Sequence, residues 1–136
     1  MLTHVFDTSA VLAHFYQESG AETANALLTD THAHIGITAV SLLELRSTIL
    51  RSVVGASPEL RRNAEAAYRL YADELLETVP VTRPLVEEAA RLLDDPKGPL
   101  TESQAVSAAA ARLHDAILVH TSYPPGTLNG LRSLQL

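Results

Sequence analysis

The chain has 136 residues, 46% hydrophobic and 19% charged, enough for one well-developed core, too few for two ordinary domains, and far from a disordered composition. It contains no cysteine, which excludes a disulfide framework and a thiolate metal site and gives no argument for an oxidising compartment. Net charge is −6 and Lys97 is the sole lysine, so passive binding to a nucleic-acid backbone gains nothing from overall charge; an enzyme that meets phosphates through a carboxylate-held metal instead needs local negative charge.

The start, Met1 to Phe6, carries no basic leader region, and no apolar run approaches the roughly 18 residues of a membrane span. One soluble cytoplasmic domain over residues 1–136 is expected. Leu2–Phe6 is a β-favouring run that ends at Asp7, and Thr8 to Gln17 carries Val11, Leu12 and Phe15 at helical spacing. Glu18-Ser19-Gly20 breaks that helix, Ala21–Leu28 forms an alanine-rich second one, and His34 to Thr38 reads as the second strand. From Ala39 to Val54 a broad apolar stripe predicts a helix ending around Gly55. Ser57-Pro58-Glu59 opens the next, with Ser as cap and Pro at the first helical position, running to about Glu74.

Thr78–Val81 is a third strand, Thr82 caps a helix with Pro84 in its first turn, and Asp94 to Pro99 is a loop. Glu102–Leu113 suits a helix, whereas Ala116 to Thr121 is apolar and β-branched and suits a buried strand, so Asp115 is read at the junction of the two rather than inside one long helix. Tyr123-Pro124-Pro125-Gly126 is a turn-rich loop, and Leu131–Leu136 closes the sheet. No internal repeat is present. The alternation implies an α/β fold: a mainly parallel central sheet of about five strands with helices on both faces, joined by right-handed crossovers. Its ligand crevice lies at the carboxyl ends of the strands. Asp7, the Thr38 turn leading to Glu44, and Ser122 follow those ends.

Asp7-Thr8-Ser9-Ala10 puts a carboxylate beside two hydroxyls and a helix amino terminus, a place to hold a hard cation such as Mg²⁺; the alternative is a plain helix cap. Glu44, in Ser41-Leu42-Leu43-Glu44-Leu45-Arg46, is an acid in an apolar stretch. It either closes a capping box with Ser41 or points across the crevice towards Asp7.

Val5-Phe6-Asp7-Thr8-Ser9-Ala10 after the first strand, with Thr38-Ala39-Val40-Ser41-Leu42-Leu43-Glu44-Leu45 after the second, resembles the PIN-domain family, and in size the VapC-like toxins of toxin–antitoxin pairs. The resemblance spans the whole chain in element order. It implies a three-layer α/β/α fold, a Mg²⁺- or Mn²⁺-dependent ribonuclease with four acids at one crevice, a homodimer, RNA as substrate and an antitoxin partner. The family's third acid opens the helix before the fourth strand, and its fourth follows that strand. Here those positions fall on Gln104 and Ser122, whose 18-residue separation fits the resemblance. A rival register uses Asp115 third and Asn129 fourth, and leaves little chain for the last strands.

Asp7, Glu44, Gln104 and Ser122 are therefore the candidate catalytic positions, with Asp7 and Glu44 as metal ligands. Losing two carboxylates matters, since one charge pair at about 4 Å and an effective dielectric near 20 contributes on the order of 4 kcal/mol before desolvation. Gln104 also completes a Thr101-x-x-Gln capping box, and Glu102 at the same helix start is a partial substitute. Weak metal binding and a slow nuclease are expected; the alternative is a catalytically inactive PIN-fold module for dimerisation or partner binding. His32 and His34 lack an evident third ligand, His114 and His120 flank the fourth strand, and Arg46, Arg51, Arg61, Arg62 and Arg69 either contact RNA phosphates or form solvated helix faces.

Overall fold

The computed structural model describes residues 1–96, 99–124 and 127–136. The expected loops at Asp94 to Pro99 and Tyr123 to Gly126 fall partly on Lys97, Gly98, Pro125 and Gly126, outside the described residues. In chain order the elements are β1 (His4–Phe6), α1 (Thr8–Phe15), α2 (Ala21–Thr29), β2 (Ile35–Thr38), α3 (Ala39–Arg51), α4 (Pro58–Arg69), a π-helical turn (Leu70–Leu75), β3 (Glu77–Val79), α5 (Arg83–Leu93), α6 (Glu102–Leu113), β4 (Ile117–His120) and β5 (Ser133–Gln135). The strands form one sheet in the order β3-β2-β1-β4-β5, parallel at every pairing. The chain builds outward from β1 to β3, then crosses back to lay β4 and β5 on the other side. β1 and β4 thus flank the point where strand order reverses, where α/β sheets open a crevice.

The two-residue period of the strands sorts side chains between two cores. Val5 and Leu118 join Leu85, Ala89 and the alanines of α6 on one face. Phe6 and Val119 join Val11, Ile37, Leu45 and Ile49 on the other. On α6, Ala105 and Ala108 to Ala111 are fully buried, and their small size lets this helix lie close over the strands. Gly36 sits in a tight spot of its own, because a Cβ there would lie 2.7 Å from Leu2 Cδ1 and 3.0 Å from Val79 Cγ2. Between α5 and α6, Glu88 takes Arg91 at 2.6 Å and Arg112 at 2.9 Å. Arg112, then Arg91, hold its carboxyl below the usual range against the effect of burial.

Among the element ends that differ from the sequence expectation, three have a structural reason, two of them local. β3 stops at Val79 rather than Val81 because Pro80 has no N–H to continue the ladder. α3 ends at Arg51, where the Ser52 hydroxyl turns back to the Ile49 carbonyl at 2.6 Å. The helix expected to reach Glu74 stops at Arg69 and widens, with the Leu76 N–H bonding the Tyr71 carbonyl five residues back. That widening puts Tyr71 and Leu76 into one core cluster, which a regular helix would point apart. No helix among the described residues is long and apolar enough to cross a membrane.

Candidate active site

Asp7 is the residue at which β1 ends and α1 begins. It is only 4% exposed, and its Oδ1 accepts from the Ala10 N–H at 3.0 Å and from the Ser9 hydroxyl at 2.6 Å. The cap reading is thus correct as far as it goes. Ser9 in turn accepts from the Thr121 N–H at 3.1 Å, so one hydroxyl ties the acid after β1 to the chain leaving β4. Burial pushes the Asp7 carboxyl above its ordinary value, opposed by hydrogen bonds from Ser9, Ala10 and the Tyr123 hydroxyl. No arginine or lysine pairs with it among the described residues.

Thr38 caps α3 through the Ser41 N–H at 3.1 Å, so Ser41 is not the cap and Glu44 is free of the capping box that its spacing allowed. Glu44 is exposed at the mouth of the cavity. Its Oε1 accepts from the Thr8 hydroxyl at 2.8 Å and from the Ser103 hydroxyl, joining three elements at one carboxylate. Beneath it the buried hydroxyls of Ser41 and Ser107 meet at 3.0 Å, a polar clasp that sets α3 against α6.

Gln104 lines the same cavity, yet its side chain serves the helix start. Its Oε1 accepts from the Thr101 N–H at 3.0 Å while its own N–H donates to Thr101 Oγ1 at 3.1 Å, a complete capping box. Ser122 is exposed and is not part of the cavity lining. The next residue, Tyr123, reaches inward instead: its hydroxyl donates to the Gln104 carbonyl at 3.2 Å, its ring lies 4.8 Å from that of His120, and burial first, then Asp7, push its phenol far above the ordinary value. His120 is buried with Nδ1 lacking a hydrogen-bond partner among the described residues, and burial lowers its pKa. Asp115 precedes β4, at the opposite end of the sheet from Asp7. It has positive φ, a 96% exposed side chain and Arg132 as partner at 3.0 Å.

Asp7, Glu44 and Gln104 thus meet in one cavity of about 560 Å³, with Thr8, Ser9, Ser103, Ser47, Thr48 and Arg51 also on its wall. Ser103 and Tyr123 were not singled out from sequence. Arg51 was among the arginines considered for RNA phosphates, and the spacing of Ser47, Thr48 and Arg51 from Glu44 marks one face of α3, which groups it with the acid. Among the described residues no three His, Cys, Asp or Glu side chains are grouped to share an ion. Two carboxylates do fit Mg²⁺, which commonly takes one or two protein carboxylates and completes its shell with water and substrate phosphate. The buried, uncompensated charge of Asp7 is the local feature that a cation would relieve.

A comparison with curated proteins by sequence returns no match. Solved structures are similar along nearly the whole chain. VapBC2 from Rickettsia felis, bound to a promoter DNA fragment, is 15% identical with 99% of each chain covered and a TM-score of 0.75. VapC20 from Mycobacterium tuberculosis, described as a sarcin-ricin loop cleaving toxin, is 17% identical over 98% of this chain and 100% of that one, with a TM-score of 0.71. VapBC-5 from the same organism is 23% identical over 100% of both, with a TM-score of 0.68. These likenesses establish the fold, and the sequence itself matches the PIN domain over residues 4–122, so the chain belongs to the PIN domain family.

Proposed function

We propose that the chain is a slow, metal-dependent ribonuclease of the VapC-like type, acting in the cytoplasm as one domain over residues 1–136. The observation that carries this reading is the buried Asp7 carboxylate, without a basic partner among the described residues, in one cavity with Glu44 at the reversal point of the sheet. Asp7 and Glu44 would hold Mg²⁺ or Mn²⁺, which when bound lowers the pKa of a water and stabilises charge on the leaving oxygen of a phosphodiester. Ser9 and Ala10 fix the Asp7 carboxylate, and Thr8 and Ser103 fix that of Glu44. Gln104 keeps the α6 start in place but brings no charge, and Ser122 stands off the cavity. Two carboxylates support one ion, so weak affinity and slow turnover follow.

The similar VapBC structures support an antitoxin protein as partner, and the family resemblance supports a homodimer. The specific observation favouring a second reading, a non-catalytic binding module on the same fold, is that the Gln104 oxygen is committed to its own helix cap. Calorimetric titration with Mn²⁺, beside an Asp7→Asn/Glu44→Gln double variant, decides between them when followed by RNA cleavage at saturating metal. Binding and cleavage that both vanish in the variant support the nuclease. An absence of Mn²⁺ binding in the unaltered chain would sink it in favour of the module.

A further inference from the structure

The cavity is chemically two-ended. Asp7 and Glu44 line one part of it, and Arg51 closes α3 on the same wall. Seven residues separate Glu44 from Arg51, two helical turns or roughly 10 Å along one face. Ser47 and Thr48 lie between them, half-buried, with no side-chain hydrogen bond among the described residues. Most arginines in this chain are already engaged: Arg46, Arg69, Arg83, Arg91, Arg112 and Arg132 each face a carboxylate. Arg51, Arg61 and Arg62 have no such partner among the described residues, and of these Arg51 alone lines the cavity. A planar guanidinium with free donors is suited to a phosphate.

We propose that Arg51 is a substrate-binding residue that pairs with a phosphate of single-stranded RNA next to the scissile one, which lies where Asp7 and Glu44 would hold the metal, with the Ser47 and Thr48 hydroxyls along the strand's path. The assignment rests on the nuclease reading and adds a second point of attachment to it. Two anchors of opposite charge on one wall also set a direction: the scissile phosphate sits at the acids and the flanking phosphate at the arginine. A substrate too short to reach both is indifferent to Arg51. In an acidic protein this local cation also offsets the repulsion that net charge imposes on RNA.

The test measures binding of a labelled 2′-O-methyl oligouridylate by fluorescence anisotropy across a salt series, beside Mn²⁺ calorimetry on each protein. Arg51→Ala is expected to raise Kd about tenfold and to reduce the slope of log Kd against log salt by about 0.7, the share of one single-strand phosphate contact. Arg51→Lys restores the slope, Arg62→Ala changes neither quantity, and Mn²⁺ binding is the same in all four proteins. A helix-terminal charge that merely complements the α3 dipole would leave the salt slope untouched. Equal Kd and slope for Arg51→Ala and the unaltered chain, with Mn²⁺ binding intact, overturn the Arg51 assignment alone. Failure of the unaltered chain to bind Mn²⁺ overturns the nuclease reading separately.

Discussion

The β1–α1 corner and the start of α6 solve the same problem with opposite consequences. Each places a polar side chain on the orphan N–H groups of a helix start, and each faces the same cavity. Asp7 meets Ser9 and Ala10 through one oxygen, keeps a negative charge to spare, and is destabilised by its own burial. Gln104 has one carbonyl oxygen, already bonded to the Thr101 N–H, and carries no charge. Capping chemistry alone therefore does not make a site. What distinguishes the two corners is whether the cap leaves an unbalanced charge facing the cavity.

The largest effect expected from this contrast is at Asp7. Asp7→Asn preserves the acceptor for Ala10 yet should reduce metal-dependent cleavage at least about a hundredfold, the ~2.7 kcal/mol or more that one well-placed polar group supplies. The same variant should unfold at higher denaturant at neutral pH, by about 1 kcal/mol, because it removes a buried anion. Loss of activity with loss of stability would mean that Asp7 is chiefly structural. The converse change is Gln104→Glu, which keeps a capping-box residue type and adds the missing charge. Calorimetry should show Mn²⁺ affinity rising about tenfold, or ~1.4 kcal/mol, whereas Ser122→Asp, off the cavity wall, should change it less.

How much of this was legible depended on whether the controlling interaction was local. β1, α1 and α3 follow from apolar runs and periodicity, and α6 from its alanines and the Thr101 capping box, all within a few residues of sequence; the α3 cap was offered at Ser41 and falls at Thr38. The end of β3 at Pro80 was equally local and could have been read. The widened turn after Arg69 was not, because it is set by Tyr71 reaching His14, at 2.7 Å and 57 residues away. The site divides in the same way. Asp7 and Glu44 stand out as acids next to apolar runs, but Ser103 reaching Glu44 across 59 residues and Tyr123 turning inward where Ser122 does not depend on tertiary packing.

Acid titration sharpens the contrast, since Asp7 ionises and Gln104 does not. The folded state holds the Asp7 proton above the ordinary value of 3.8, so this group's destabilisation grows as pH rises from there through the folded value. The stability advantage of Asp7→Asn should therefore be full at neutral pH and shrink on acidification, at most about 1.4 kcal/mol per pH unit. His120 works in the other sense: burial lowers it from 6.5, so the unfolded chain takes the proton first and stability falls as pH drops below about 6.5. That loss is common to both proteins and cancels in their difference, measured by urea unfolding at a series of pH values. A difference independent of pH would show that Asp7 carries no buried charge.

Tyr123 gives the smallest and most discriminating test because its single hydroxyl proton can serve either corner, donating to the Gln104 carbonyl or, turned, to the Asp7 carboxylate whose charged form it favours. In Tyr123→Phe the ring still packs on His120, so the change isolates the hydroxyl. Losing it should cost about 1 kcal/mol of stability. At the same time Asp7 loses a donor that competes with a cation for the same carboxylate, so Mn²⁺ affinity should rise about threefold, ~0.7 kcal/mol. Stability and metal affinity moving in opposite directions would show that the phenol partly neutralises the demand of Asp7 for a cation. If both fell together, Tyr123 would instead be shaping the carboxylate for the metal, and the missing acids would have to be compensated from elsewhere on the cavity wall.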